Sequence, residues 1–214
     1  MSELILHGYW RSTASYRVRI ALALKGIVFD QAPRDLRQRE QRAESFMAIS
    51  PLGLVPVLES AEGVFTQSLA ILEWLEERFP EPPLLPSGRA DRAVVRSMAA
   101  LVACDIHPLN NLRVLEALRA DFAASPAQVE GWAARWIGDG FAALERMVER
   151  HGGAFAFGDT PTFADCLLIP QIYSARRFHV DLAPFPRLVA IDERARALPT
   201  FAGAHPDRQP DSDR

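Results

Sequence analysis

Between the apolar run Leu4-Ile5-Leu6-His7-Gly8 and a helical pattern from Ser15 to Lys25, the chain places Arg11 and three hydroxyls, Ser12, Thr13 and Ser15. A helix start offers unpaired N–H groups and the positive end of the helix dipole, so a thiolate, phosphate or carboxylate is stabilised there. Serine or threonine before a helix also serves simply as its cap. Taken alone, the segment marks an anion-attracting helix start and no particular reaction.

The surrounding pattern decides what positions these groups. Leu4–Gly8 reads as a buried strand, and Gly26, suited to a left-handed C-terminal position, closes the helix before Ile27-Val28-Phe29 restarts a strand. A helical stretch over 40–49, an extended run over 55–59, a turn at Glu62-Gly63, an extended run over 64–66 and an amphipathic run over 68–79 complete a β-α-β-α-β-β-α order. Pro56 fits only the start or edge of its strand and is a candidate for a cis bond. Pro80-Glu-Pro-Pro-Leu-Leu-Pro86 cannot continue a helix, so it predicts a linker between an α/β domain over 1–82 and an all-α domain over 87–214.

In the second half the pattern predicts helices over 90–122 (interrupted at Pro108), 126–151, 163–178 and 187–198, then a mobile polar tail from His205. Thr162-Phe-Ala-Asp165 has the spacing of an N-terminal capping box, which makes Asp165 a fold determinant rather than an acid or base.

The 24 Lys+Arg against 27 Asp+Glu leave a net charge of −3, which disfavours a nucleic-acid or acidic-membrane partner. No apolar stretch reaches the roughly 18 residues of a membrane span and no leader pattern follows Met1-Ser2-Glu3, so a cytoplasmic protein is expected. Cys104 and Cys166 form no CxxC or Cys/His spacing; no metal site is expected, and both read as small buried residues.

The run Ser12-Thr13-Ala14-Ser15-Tyr16-Arg17-Val18-Arg19-Ile20-Ala21-Leu22 resembles the helix-start motif of the zeta class of glutathione transferases. The resemblance continues through Leu54-Val55-Pro56, 66–73, 104–113, 175–181 and His205-Pro-Asp-Arg-Gln-Pro-Asp211, spanning essentially the whole chain. It implies a thioredoxin-like N-terminal domain that binds glutathione, a helical C-terminal domain that supplies most of an acidic-substrate pocket, and a homodimer. By the same resemblance, Val55 beside a cis Pro56 pairs its backbone with the cysteinyl part of glutathione. Gln67 and Ser68 hold the γ-glutamyl end, and Gln41, His107, Asn111 and Arg113 match further contacts. For His107 a structural role at a helix break competes, and for Gln41 and Arg113 a solvated helix face does.

The activity implied is glutathione-dependent conversion of maleylacetoacetate to fumarylacetoacetate, a step of tyrosine and phenylalanine catabolism. Thiolate addition to the double bond, rotation and expulsion leave the trans acid and regenerate glutathione. A free thiol of pKa about 8.5 is only a few per cent ionised at pH 7, and lowering that pKa by about two units stabilises thiolate by roughly 2.7 kcal/mol. The Ser12 hydroxyl, assisted by the backbone from Ser12 to Ser15, is the expected source, with Thr13 the neighbouring candidate. Ala14 stands where many members carry cysteine, so no protein thiol acts there.

Arg11 and Arg177 are the expected counter-charges for substrate carboxylates. Neighbouring helix residues point about 100° apart, so at most one of Arg176 and Arg177 faces a pocket. Maleylpyruvate isomerase of gentisate degradation uses the same chemistry, and Leu112, where some such enzymes carry arginine, favours maleylacetoacetate. A transferase or dehalogenase acting on small α-haloacids and a non-catalytic scaffold of the same fold are the other readings.

Overall fold

The computed structural model describes residues 3–213. Contacts divide the chain into two units, residues 1–84 with 196–214, and residues 85–195. The first unit is built on a four-stranded sheet of order β2-β1-β3-β4, with β1 Ile5–Gly8, β2 Asp30–Pro33, β3 Val57–Ser60 and β4 Gly63–Thr66. β1 runs parallel to β2 and antiparallel to β3, and β3 forms a hairpin with β4. Helices α1 (Thr13–Leu24) and α3 (Ser68–Arg78) pack together, burying Val18, Leu22, Ile71, Leu72 and Leu75 with Val57 and Leu58 of the sheet.

The second strand lies three residues later than expected. Val28 is 80% exposed, while Asp30 pairs with Ile5. β2 is an edge strand, which accepts polar residues and the terminal Pro33. In place of the expected helix over 40–49 stand a 3-10 turn, Glu40–Arg42, and the one-turn α2 (Glu44–Met47), preceded by another 3-10 turn, Leu36–Gln38.

Lys25 and Glu76 tie the first unit to the start of the proline-rich segment. The buried Lys25 Nζ lies 2.7 Å from Glu76 Oε2 and donates to the carbonyls of Phe79 and Pro82, while both Glu76 oxygens accept from the Leu84 N–H. Buried charges persist only with such partners.

The second unit holds α4 (Arg89–Ala100), α5 (Leu112–Phe122), α6 (Pro126–His151), α7 (Phe163–Arg177) and all but the last two residues of α8 (Pro186–Ala197). The interruption expected at Pro108 is longer than one kink: a π-helical segment over Leu101–Ile106 leads into a 3-10 turn over His107–Asn110. Cys104 in that segment is exposed, contrary to expectation, and Cys166 is buried; neither forms a disulfide. Among the described residues, no helix is long and apolar enough to cross a membrane and no cluster could hold a metal ion.

The end of the chain also departs from the sequence reading. Helix α9 (Pro199–Ala204) and a 3-10 turn over Pro206–Arg208 belong to the first unit, where α9 packs on α1. The polar tail was expected to be mobile, yet Gln209 is buried and donates to the Gly203 and His205 carbonyls. Composition hid this because the tail's polar groups are satisfied by specific partners.

Asp165 takes the expected place in the capping box of α7. Its carboxylate accepts the Thr162 N–H (2.8 Å), the Thr162 hydroxyl (3.0 Å) and the Ala156 N–H (2.8 Å). Burial outweighs these bonds and pushes its pKa up to about 6. Asp165→Ala is expected to cost about 2–4 kcal/mol in urea unfolding, from a lost cap and orphaned buried donors. A native pKa above the ordinary aspartate value of 3.8 means that the native state holds the proton more tightly. That contribution is full below the unfolded pKa and is lost as pH rises through about 6, so the advantage of the wild type over Asp165→Asn shrinks between pH 4 and 7.

Candidate functional site

The chain leaves β1 through a tight turn and enters α1 at Ser12. The Ser12 N–H donates to the Tyr9 carbonyl at 3.0 Å, and Ser12 then stands as the N-cap in extended conformation (φ −67°, ψ 118°). Its Oγ accepts the Ser15 N–H at 3.2 Å. Accepting uses a lone pair, so the hydroxyl proton stays available to a second partner. Ser12 is half-buried and Thr13 buried. Ser15 is fully buried with no partner for its Oγ, and the Ala14 N–H makes no hydrogen bond among the described residues.

Arg11 is half-buried, its guanidinium carbon 5.4 Å from the centre of the Trp10 ring. Burial pushes the pKa of the neighbouring Tyr9 phenol up, against the lowering influence of Arg11 and Arg37.

Ahead of β3, Ser50 Oγ donates to the Leu54 carbonyl at 2.8 Å and accepts its N–H at 3.1 Å, closing the loop that leads to Val55. Gly53 sits in this loop at φ 58°, where a Cβ would come within 2.7 Å of the Gln41 carbonyl. Glycine thus lets the loop close on Gln41, whose Oε1 is buried without a partner. The Val55–Pro56 bond is cis, and the Val55 N–H and C=O make no hydrogen bond among the described residues.

Gln67, the N-cap of α3, has φ 68° and ψ 115°. A non-glycine residue held there costs on the order of 1–3 kcal/mol, and such strain clusters at binding sites. The first-turn amides of Ser68, Leu69 and Ala70 make no hydrogen bond among the described residues. Ser68 Oγ accepts from Arg17 Nη1 at 3.1 Å, with both side chains buried.

Sequence reasoning gave Arg17 no role. The available signal was two arginines, Arg17 and Arg19, in a helix whose other residues from Tyr16 to Leu22 are apolar. The first unit therefore holds two helix starts with open amides, at Ser12 and Ser68, and an unpaired backbone stretch at Val55. Such a set suits an extended, anionic, peptide-like ligand.

The second unit holds the remaining candidates. Asn111 Oδ1 accepts the Arg113 N–H at 3.3 Å, capping α5, while its Nδ2 lies 3.3 Å from His107 Nε2. Asn111 thus has structural work within its own unit. Arg176 Nη2 lies 2.6 Å from the buried Asp192 carboxylate, whereas Arg177 lies over Tyr173 and Phe178, 5.9 and 5.7 Å from their ring centres. The two arginines do diverge, and Arg176 is the one bound into the helical packing.

Residues 6–83 match the glutathione S-transferase N-terminal domain, and residues 126–198 its C-terminal domain. The chain is 48% identical to a maleylacetoacetate isomerase of Rhizobium meliloti, over 97% of this chain and 98% of that one. A holo structure of a maleylpyruvate isomerase, described as a bacterial glutathione S-transferase of the zeta class, superposes with a TM-score of 0.95 at 47% identity, covering 97% of this chain and 99% of the other. A maleylacetoacetate isomerase of Anaeromyxobacter dehalogenans with glutathione in its active site gives a TM-score of 0.88 at 46% identity, covering 99% of both chains. With both domains matched and the fold shared along nearly its whole length, the chain belongs to the zeta class of the glutathione S-transferase family.

Proposed function

We propose that the chain is a glutathione-dependent cis–trans isomerase that converts maleylacetoacetate to fumarylacetoacetate. The observation that carries this reading is Ser12: its Oγ accepts the Ser15 amide and keeps its own proton to donate, beside the open Ala14 amide. Those groups fit a thiolate better than a thiol, because both donate. The Arg11 guanidinium on the adjoining residue adds positive charge.

The other groups of the first unit fit the rest of the tripeptide. The open Val55 N–H and C=O suit its cysteinyl backbone, while Gln67, Ser68 and the first-turn amides of α3 suit its γ-glutamyl carboxylate. Arg17 holds the Ser68 hydroxyl through its Nη1 hydrogen bond. Glutathione, when bound, supplies the nucleophile that adds to the double bond, lets it rotate and departs unchanged. This chain's residues ionise that nucleophile and hold it, with Gln41, His107, Asn111 and Arg113 as further glutathione contacts on the family resemblance, and Arg11 and Arg177 are the counter-charges for the acid's carboxylates. On the same family resemblance, the protein works as a cytoplasmic homodimer.

An ultraviolet assay with maleylacetoacetate, with and without glutathione, tests the reading. Turnover that requires glutathione is expected, with a lower specificity constant for maleylpyruvate; bound glutathione without turnover of either acid would contradict it. Ser12→Ala is expected to lower kcat by about 10- to 1000-fold, equivalent to about 1.4–4 kcal/mol for one lost hydrogen bond to the developing anion. Ser68→Ala is expected to raise the KM for glutathione about tenfold with kcat nearly unchanged, since it removes a contact made equally before and during the reaction.

A further inference from the structure

The block His205–Asp211, set apart in the sequence, has no part in the chemistry above, yet its end reaches the turn that carries Ser12. The Asp211 carboxylate oxygen Oδ2 accepts the Trp10 N–H at 2.8 Å. The Trp10 carbonyl is held as well, by Arg19 Nη2 at 2.9 Å, and the same guanidinium donates through Nε to the Ala204 carbonyl at 3.1 Å. Trp10 itself is 1% exposed. Both backbone polar groups of one residue in the Tyr9–Ser12 turn are therefore tied to the C-terminal segment, one directly and one through Arg19.

The segment is anchored independently of that contact. Gln209 Oε1 accepts from Gln31 Nε2 at 3.1 Å, and its own amide nitrogen donates to the Gly203 and His205 carbonyls at 3.0 and 2.8 Å. His205 meets the Tyr16 ring edge-on at 5.9 Å, and Arg37 pairs with Asp213. The strand edge, α1 and α9 thus fix where Asp211 sits, and Asp211 fixes Trp10.

We propose that Asp211 is a positioning residue for the isomerisation: acting through the Trp10 amide, its carboxylate holds the turn whose last residue is Ser12 and whose third is Arg11. An amide buried without an acceptor is costly, so loss of Asp211 drives the turn to find another arrangement. A displaced hydroxyl two residues away no longer meets the reacting sulfur in line, and misplacement of about 1 Å can cost as much as 100-fold in rate. The proposal rests on the isomerase reading for its kinetic consequence and on the hydrogen-bond pattern alone for its structural one.

The test compares the wild type with Asp211→Ala and Asp211→Asn, using steady-state kinetics with glutathione and maleylacetoacetate together with amide hydrogen exchange. Asn keeps a carbonyl oxygen able to accept from Trp10, whereas Ala keeps none. For Asp211→Ala we expect kcat about tenfold lower, with a rise in the KM for the acid as Arg11 moves with the turn. Exchange should be faster at residues 10–15 and unchanged at Val57 and Leu58 in the core, and Asp211→Asn should restore both readouts. Equal impairment of the two variants, or an Asp211→Ala protein like the wild type in kcat and exchange, overturns the proposal. A wild type without glutathione-dependent turnover would sink the isomerase reading instead, and exchange in the two variants would still decide whether Asp211 holds the turn.

Discussion

The hydrogen bond from the Ser15 amide to Ser12 Oγ is the contact on which the rest depends. It starts α1 where the chain leaves the sheet, and it orients a hydroxyl that can still donate. A helix beginning two residues later would leave Ser12 in a loop, with no dipole behind it and no open amide beside it. The turn closed by Ser12 and Tyr9 upstream and the burial of α1 downstream both act to hold that start in register.

Two buried guanidiniums on α1 extend this control in opposite directions. Arg17 reaches the Ser68 hydroxyl at the start of α3, and Arg19 reaches the carbonyls of Trp10 and Ala204. Two residues apart on a helix is about 200° of rotation, so one arginine serves each side. Burying a charge is unfavourable unless it is met by polar partners. Each arginine consequently specifies the position of the groups that meet it, and those groups adjoin the candidate ligand-binding amides. The strained backbone of Gln67 fits the same picture, since such a conformation persists only where its surroundings over-determine it.

Much of this is legible in the sequence. Alternating apolar runs and helix periods marked the β-α-β-α-β-β-α order, Ser12 and Ser68 announced helix starts, and the zeta-class blocks supplied the candidate ligand. Legibility failed where local pattern and tertiary context part company. Ile27-Val28-Phe29 looks more strand-like than Asp30–Pro33, but pairing with β1 places the strand at the polar edge. Residues 40–49 carry helical composition but form only the 3-10 turn Glu40–Arg42 and the single turn of α2, next to the Gly53 loop that closes on Gln41. The π-helical segment before His107, the left-handed Gln67 and the ordered tail leave no trace in periodicity; the first packs on α6 and α7, and the last is held by Gln31 and the Trp10 amide.

The central claim is that the start of α1 ionises the thiol of bound glutathione. The direct measurement is an ultraviolet titration of the thiolate absorbance of glutathione bound to the wild-type protein, without any acid substrate. The account predicts a thiol pKa in the complex about two units below the free value of about 8.5, with most of that shift abolished in Ser12→Ala. A bound thiol that titrates at its free value would contradict it.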